Sequence, residues 1–120
     1  MSQRQIKLLV VDDDRGIRET LGEVLRDEGY TVGLARDGAE ALASLADGPV
    51  PRLILLDLAM PGMGGAEFLE LQRRDGRLRG IPVVVLSADD RTPRGDTAGW
   101  LRKPVDLDEL LEEVARLARP

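Results

Sequence analysis

Carboxylates at Asp12, Asp13 and Asp57, a hydroxyl at Ser87 and an amine at Lys103 each follow a short apolar stretch of chain. Asp57 follows Leu53-Ile54-Leu55-Leu56, four aliphatic residues in a row that fit a short strand buried on both faces. A Pro-Gly pair at 61 and 62 then turns the chain into a loop. Ligands of open α/β sheets bind at the carboxyl ends of strands, so Asp57 is placed to serve as a nucleophile or a metal ligand, or simply to start a loop. Lys7-Leu8-Leu9-Val10-Val11 runs likewise into Asp12-Asp13-Asp14. Asp14 is explained as the N-cap of the helix that follows. Asp12 and Asp13 are not, and like charges so close must protonate or draw a cation unless the fold supplies one.

The elements that would carry these groups alternate. Ile17, Leu21, Val24 and Leu25 mark one face of a first helix, stopped at Gly29. Tyr30 to Ala35 is a weaker strand, Asp37-Gly38 opens a small helix closed by Asp47-Gly48-Pro49, and Gly65 leads into a helix carrying Phe68 and Leu69. A basic, glycine-punctuated connection from Arg73 to Gly80 precedes the strand Val83-Val84-Val85-Leu86, which delivers Ser87-Ala88. Trp100 to Lys103 is a last strand ended by Pro104. The closing helix has Asp106 as cap, Glu109 three residues on, and Leu107, Leu110, Leu111, Val114 and Leu117 as its apolar face. Alternation of this kind means a parallel sheet with helices on both faces, whose strand ends would gather Asp12, Asp13, Asp57, Ser87 and Lys103 on one rim.

Composition narrows the chemistry. A chain of 120 residues suits one domain, 1–120, and 42% hydrophobic with 32% charged residues is ordinary for a soluble globular protein. There is no apolar run of membrane-spanning length and no signal-peptide core, and with no Cys a cytoplasmic location is expected. The absence of His removes Ser-His-Asp catalysis and imidazole metal sites, while a hard cation held by carboxylates stays open. A net charge of −5 argues against direct nucleic-acid binding.

Val10-Val11-Asp12-Asp13, Leu55-Leu56-Asp57-Leu58-Ala59-Met60-Pro61 with Gly65, Leu86-Ser87-Ala88 and Lys103-Pro104 together resemble the receiver domains of two-component response regulators, over essentially the whole chain. The resemblance implies a flavodoxin-like, doubly wound sheet of five parallel strands in the order 2-1-3-4-5. It implies phosphorelay signalling: Asp57 accepts a phosphoryl group from a histidine kinase or phosphotransfer protein, and the signal passes to an effector protein or fused output domain, with a homodimer allowed. Such a domain is no enzyme beyond its own phosphorylation and dephosphorylation. The implied cofactor is Mg²⁺, for which Mn²⁺ substitutes, ligated by Asp13, Asp57 and the Ala59 carbonyl, with Asp12 acting through water. Lys103 and Ser87 would meet phosphoryl oxygens, Ser87 and Trp100 would respond to phosphorylation, and the Lys103–Pro104 bond would be cis.

Two other readings stand beside it. A pseudo-receiver would keep the fold as an interaction module without phosphorylation, yet such domains usually lose one of the acidic pair, the acceptor or the Lys. A haloacid dehalogenase-type phosphatase would carry a second Asp two residues after the nucleophile, where this chain has Ala59. One departure from the receiver pattern concerns residues 88–99: the stretch from Ser87 to Lys103 is short by about one and a half helical turns and holds no apolar stripe. The fourth crossover helix is therefore expected to be shortened or missing.

Overall fold

The structure, a computed structural model, describes residues 6–60, 62–88 and 97–118. Five strands alternate with helices: β1 Lys7–Val11, α1 Arg15–Asp27, β2 Thr31–Ala35, α2 Gly38–Ala46, β3 Leu53–Asp57, α3 Gly65–Arg74, β4 Val83–Ser87, β5 Gly99–Arg102 and α4 Leu107–Leu117. All pairings are parallel, in the expected order β2-β1-β3-β4-β5. No described helix is long and apolar enough to cross a membrane.

Strand residues point alternately to opposite faces, and both faces of this sheet are covered. Leu8, Val10, Leu53, Leu55, Val84 and Leu86 pack under α1 and α4. Leu9, Val11, Ile54, Leu56, Val83 and Val85 pack under α2 and α3, around the fully buried Phe68. This double burial is why β1, β3 and β4 read as unbroken aliphatic runs.

Local chemistry sets the helix ends. Asp14, Asp37 and Asp106 each accept from a backbone N–H three residues on, at 3.0, 2.8 and 3.0 Å. Gly29 closes α1 with a φ of 99°, a conformation that favours glycine. The basic connection before β4 is tied down by two side chains. Gln72, buried on α3, donates to the Leu78 and Ile81 carbonyls at 2.9 and 3.0 Å. The Arg77 guanidinium donates to the carbonyls of Leu45 and, at 2.7 Å, Gly48, closing the end of α2.

Several boundaries differ from the sequence reading, β2 beginning at Thr31 rather than Tyr30 and α3 running through Arg74. Asp57 and Ser87 are the last residues of their strands rather than the first of their loops, and β5 runs one residue earlier than expected, leaving Lys103 just beyond it. Leu107 is 40% exposed, because the first residue of α4 lies beyond the part of the helix that covers the sheet. The described residues hold four helices, with none between β4 and β5. Residues 89–96, the bulk of the stretch expected to have lost its helix, lie outside the described residues, as does Pro61.

Candidate functional site

β1 and β3 are neighbours, so their ends bring Asp12 and Asp57 side by side. Asp12 is fully buried and Asp57 is 2% exposed, while Asp13 is exposed. Carboxylate oxygens of all three lie within 4.8 Å of one another. Lys103 crosses to this pair from the far edge of the sheet. Its ammonium stands 3.0 Å from Asp12 Oδ2 and 3.3 Å from Asp57 Oδ2. The fold itself thus supplies one cation against the three carboxylates.

Each group is held by the backbone around it. Asp12 N–H donates to Ala35 O at 3.1 Å, and Asp12 Oδ1 accepts from Asp14 N–H at 2.9 Å. Asp57 Oδ1 accepts from Ala59 N–H at 3.1 Å, a tight turn just after the strand. Gly65 permits that turn: a Cβ there would come within 2.6 Å of Leu58 Cα and 2.7 Å of Asp57 O. The loop is also tied sideways, with Gly38 N–H donating to Met63 O at 3.3 Å. Ser87, nearly buried, ends β4 beside Asp57, and its carbonyl accepts from Lys103 N–H at 3.0 Å. The Lys103–Pro104 bond is cis.

Electrostatics follow from this burial. Desolvation, then the charge of Asp12, push the Asp57 carboxyl up to about 6, against the Ala59 N–H and the Lys103 charge that pull it down. Burial alone would lower Lys103, but its hydrogen bond to Asp12 and the two carboxylate charges outweigh it and hold its pKa above the ordinary lysine value. Three carboxylates within 4.8 Å, one of them exposed, make a hard-oxygen donor set that suits Mg²⁺ or Mn²⁺. A nucleophilic carboxylate beside a fixed ammonium and a hard-cation site is equipped to meet a phosphoryl group.

The rim therefore brings together Asp12, Asp13, Asp57 and Lys103, with Ser87 on the adjoining strand end. Trp100 is elsewhere. It pairs with Val85 in β5, below the rim, and its half-buried ring packs toward the α2–α3 face. One residue had escaped the sequence reading: Arg18, on α1, donates from Nη1 to Asp12 O at 2.8 Å. The available signal was a cation in the first turn of a helix, where the helix dipole disfavours it.

Comparison with known proteins agrees with this geometry. The family described as "Response regulator receiver domain" matches residues 8–115. The chain is 41% identical to "Response regulator MprA" of Mycobacterium ulcerans, over 95% of this chain and 50% of that protein. To the protein of the same name from Mycobacterium tuberculosis it is 40% identical, over 95% and 51%. It thus spans about half the length of these curated relatives. Among solved structures, the chemotaxis protein CheY4 of Vibrio cholerae superposes with a TM-score of 0.84 at 32% identity, covering 93% of this chain and 98% of that one. A sensor protein from Polaromonas sp. JS666 gives 0.87 at 27% identity, covering 95% and 96%.

Proposed function

The chain belongs to the response regulator receiver domain family, and on that premise we propose that it is a phosphorylation-controlled switch that takes a phosphoryl group onto Asp57. The observation that carries the proposal is the meeting of Asp12, Asp13 and Asp57 at one rim, with Lys103 bridging two of them. In the proposed transfer an Asp57 carboxylate oxygen attacks the phosphorus of a phosphohistidine on a histidine kinase or phosphotransfer protein. The P–O bond forms as the P–N bond breaks, and the imidazole leaves with its electron pair and takes up a proton. The chain has no His of its own, in keeping with a donor on another protein.

Such transfer rests on positioning and charge stabilisation. The Lys103 ammonium, 3.3 Å from Asp57 Oδ2, would neutralise a phosphoryl oxygen, and the Ser87 hydroxyl would donate a hydrogen bond to another. Asp12, Asp13, Asp57 and the Ala59 carbonyl are the groups that would hold Mg²⁺. Bound there, the cation supplies positive charge against the repulsion between carboxylate and phosphoryl group. Ser87 and Trp100 would carry the response into the sheet. The greater length of the relatives supports a fused output domain as the recipient of the signal, a separate effector or a homodimer being the other arrangements. Residues 1–120 would form one unit, placed in the cytoplasm.

Intact-mass analysis after incubation with Mg²⁺ and acetyl phosphate tests the proposal. One phosphoryl adduct is expected, dependent on Mg²⁺ and abolished by Asp57→Asn. No adduct from acetyl phosphate or from any histidine kinase would make this a binding module without phosphorylation.

A further inference from the structure

The carbonyl that Arg18 holds is the oxygen of the peptide unit joining Asp12 to Asp13. That unit is planar, so its orientation sets the directions in which the two residues leave it. Asp12 is fixed independently, through Ala35 O, Asp14 N–H and the Lys103 ammonium. Asp13, exposed at the rim, takes its direction from this backbone. The oxygen itself lies one residue past Val11, the last residue of β1 in register with β3, so the sheet ladder no longer serves it there. The neighbouring Arg15 has an ordinary surface use, a salt bridge to Glu19 at 2.9 Å. Arg18 has no salt bridge among the described residues; its side chain runs back along α1 toward the helix start, the direction long helical side chains take.

We infer that Arg18 is a positioning residue for the divalent-cation site, acting through the Asp12–Asp13 peptide. The inference rests on the reading that Asp12, Asp13 and Asp57 hold such a cation. Two effects of removing Arg18 have opposite signs. As a positive charge near three carboxylates, its loss would tighten cation binding. As the anchor of the peptide, its loss frees Asp13 and weakens binding, and partners of this kind commonly change metal affinity by roughly tenfold or more.

The test is a Mn²⁺ titration of the full chain, with free Mn²⁺ read by electron paramagnetic resonance. Arg18→Met, which retains the aliphatic stem, is expected to weaken Mn²⁺ binding by roughly tenfold. Arg18→Lys, able to donate a single hydrogen bond, is expected to recover part of the loss, and Arg15→Ala to leave affinity unchanged. A metal-free melting curve establishes folding; if Arg18→Met does not fold, Arg18→Lys alone must still bind measurably more weakly than the parent. Unchanged or tighter binding in a folded Arg18→Met, with the parent binding normally, overturns the inference and leaves the site reading standing. A parent that binds no Mn²⁺ overturns both.

Discussion

Asp57→Asn removes a charge from a site that, without metal, holds more negative charge than it neutralises. Burial and Asp12 push the Asp57 carboxyl from its ordinary 3.8 up to about 6. Between those values the unfolded chain ionises the group while the folded chain keeps its proton, so stability falls as pH rises through that window. Above it the penalty is constant, and at roughly 1.4 kcal/mol per pKa unit it amounts to about 3 kcal/mol. Asparagine escapes that penalty, which is already net of the attraction between Lys103 and the Asp57 carboxylate. Urea denaturation in EDTA at pH 7 should therefore show Asp57→Asn more stable than the parent, by up to about 3 kcal/mol. The gap should close as pH is lowered from 6 to 4. Mg²⁺ should narrow it at pH 7, since a ligand at ten times its Kd stabilises the parent by about 1.4 kcal/mol. A metal-free variant less stable than the parent at pH 7, or a gap that does not vary between pH 4 and 6, would refute the reasoning.

Two further outcomes follow from packing. Gly65→Ala must displace backbone at Leu58 and Asp57, so denaturation should show a loss of about 1–3 kcal/mol, and phosphoryl uptake measured by intact mass should slow beyond what the unfolded fraction explains. Gln72→Leu keeps the volume and removes the donor to two buried carbonyls; a loss of about 2–4 kcal/mol is expected, with phosphoryl uptake by the folded protein unchanged.

Most of the frame was legible because its signals are local. β1, β3 and β4 are covered on both faces and announce themselves as aliphatic runs, and Asp14, Asp37 and Asp106 cap their helices through their own third neighbours. The demand of Asp12 and Asp13 for a cation was legible too, and Lys103 answers it at Asp12 alone. What the sequence hid is long-range or directional. Nothing in the spacing of adjacent aspartates says that Asp12 is buried and Asp13 exposed. Gln72 and Arg77 look like ordinary polar residues of a helix and a loop until the carbonyls of Leu78, Ile81, Leu45 and Gly48 are brought to them. Leu107 fits the apolar period of α4 yet lies beyond the sheet it would cover.

The reach of Lys103 has a mechanical side. Among the described residues, β5 is a four-residue edge strand hydrogen-bonded along one side, to β4. Just past its end, Lys103 spans the tops of β4 and β3 to reach Asp12, the residue after β1. The side chain works as a stay that braces the outermost strand to the middle of the sheet, with its tension set by the charge it finds there. A group added at Asp57 would compete for the same ammonium, so chemistry at the centre would re-tension the edge directly. Trp100 sits on the braced strand itself, three residues from the anchor point.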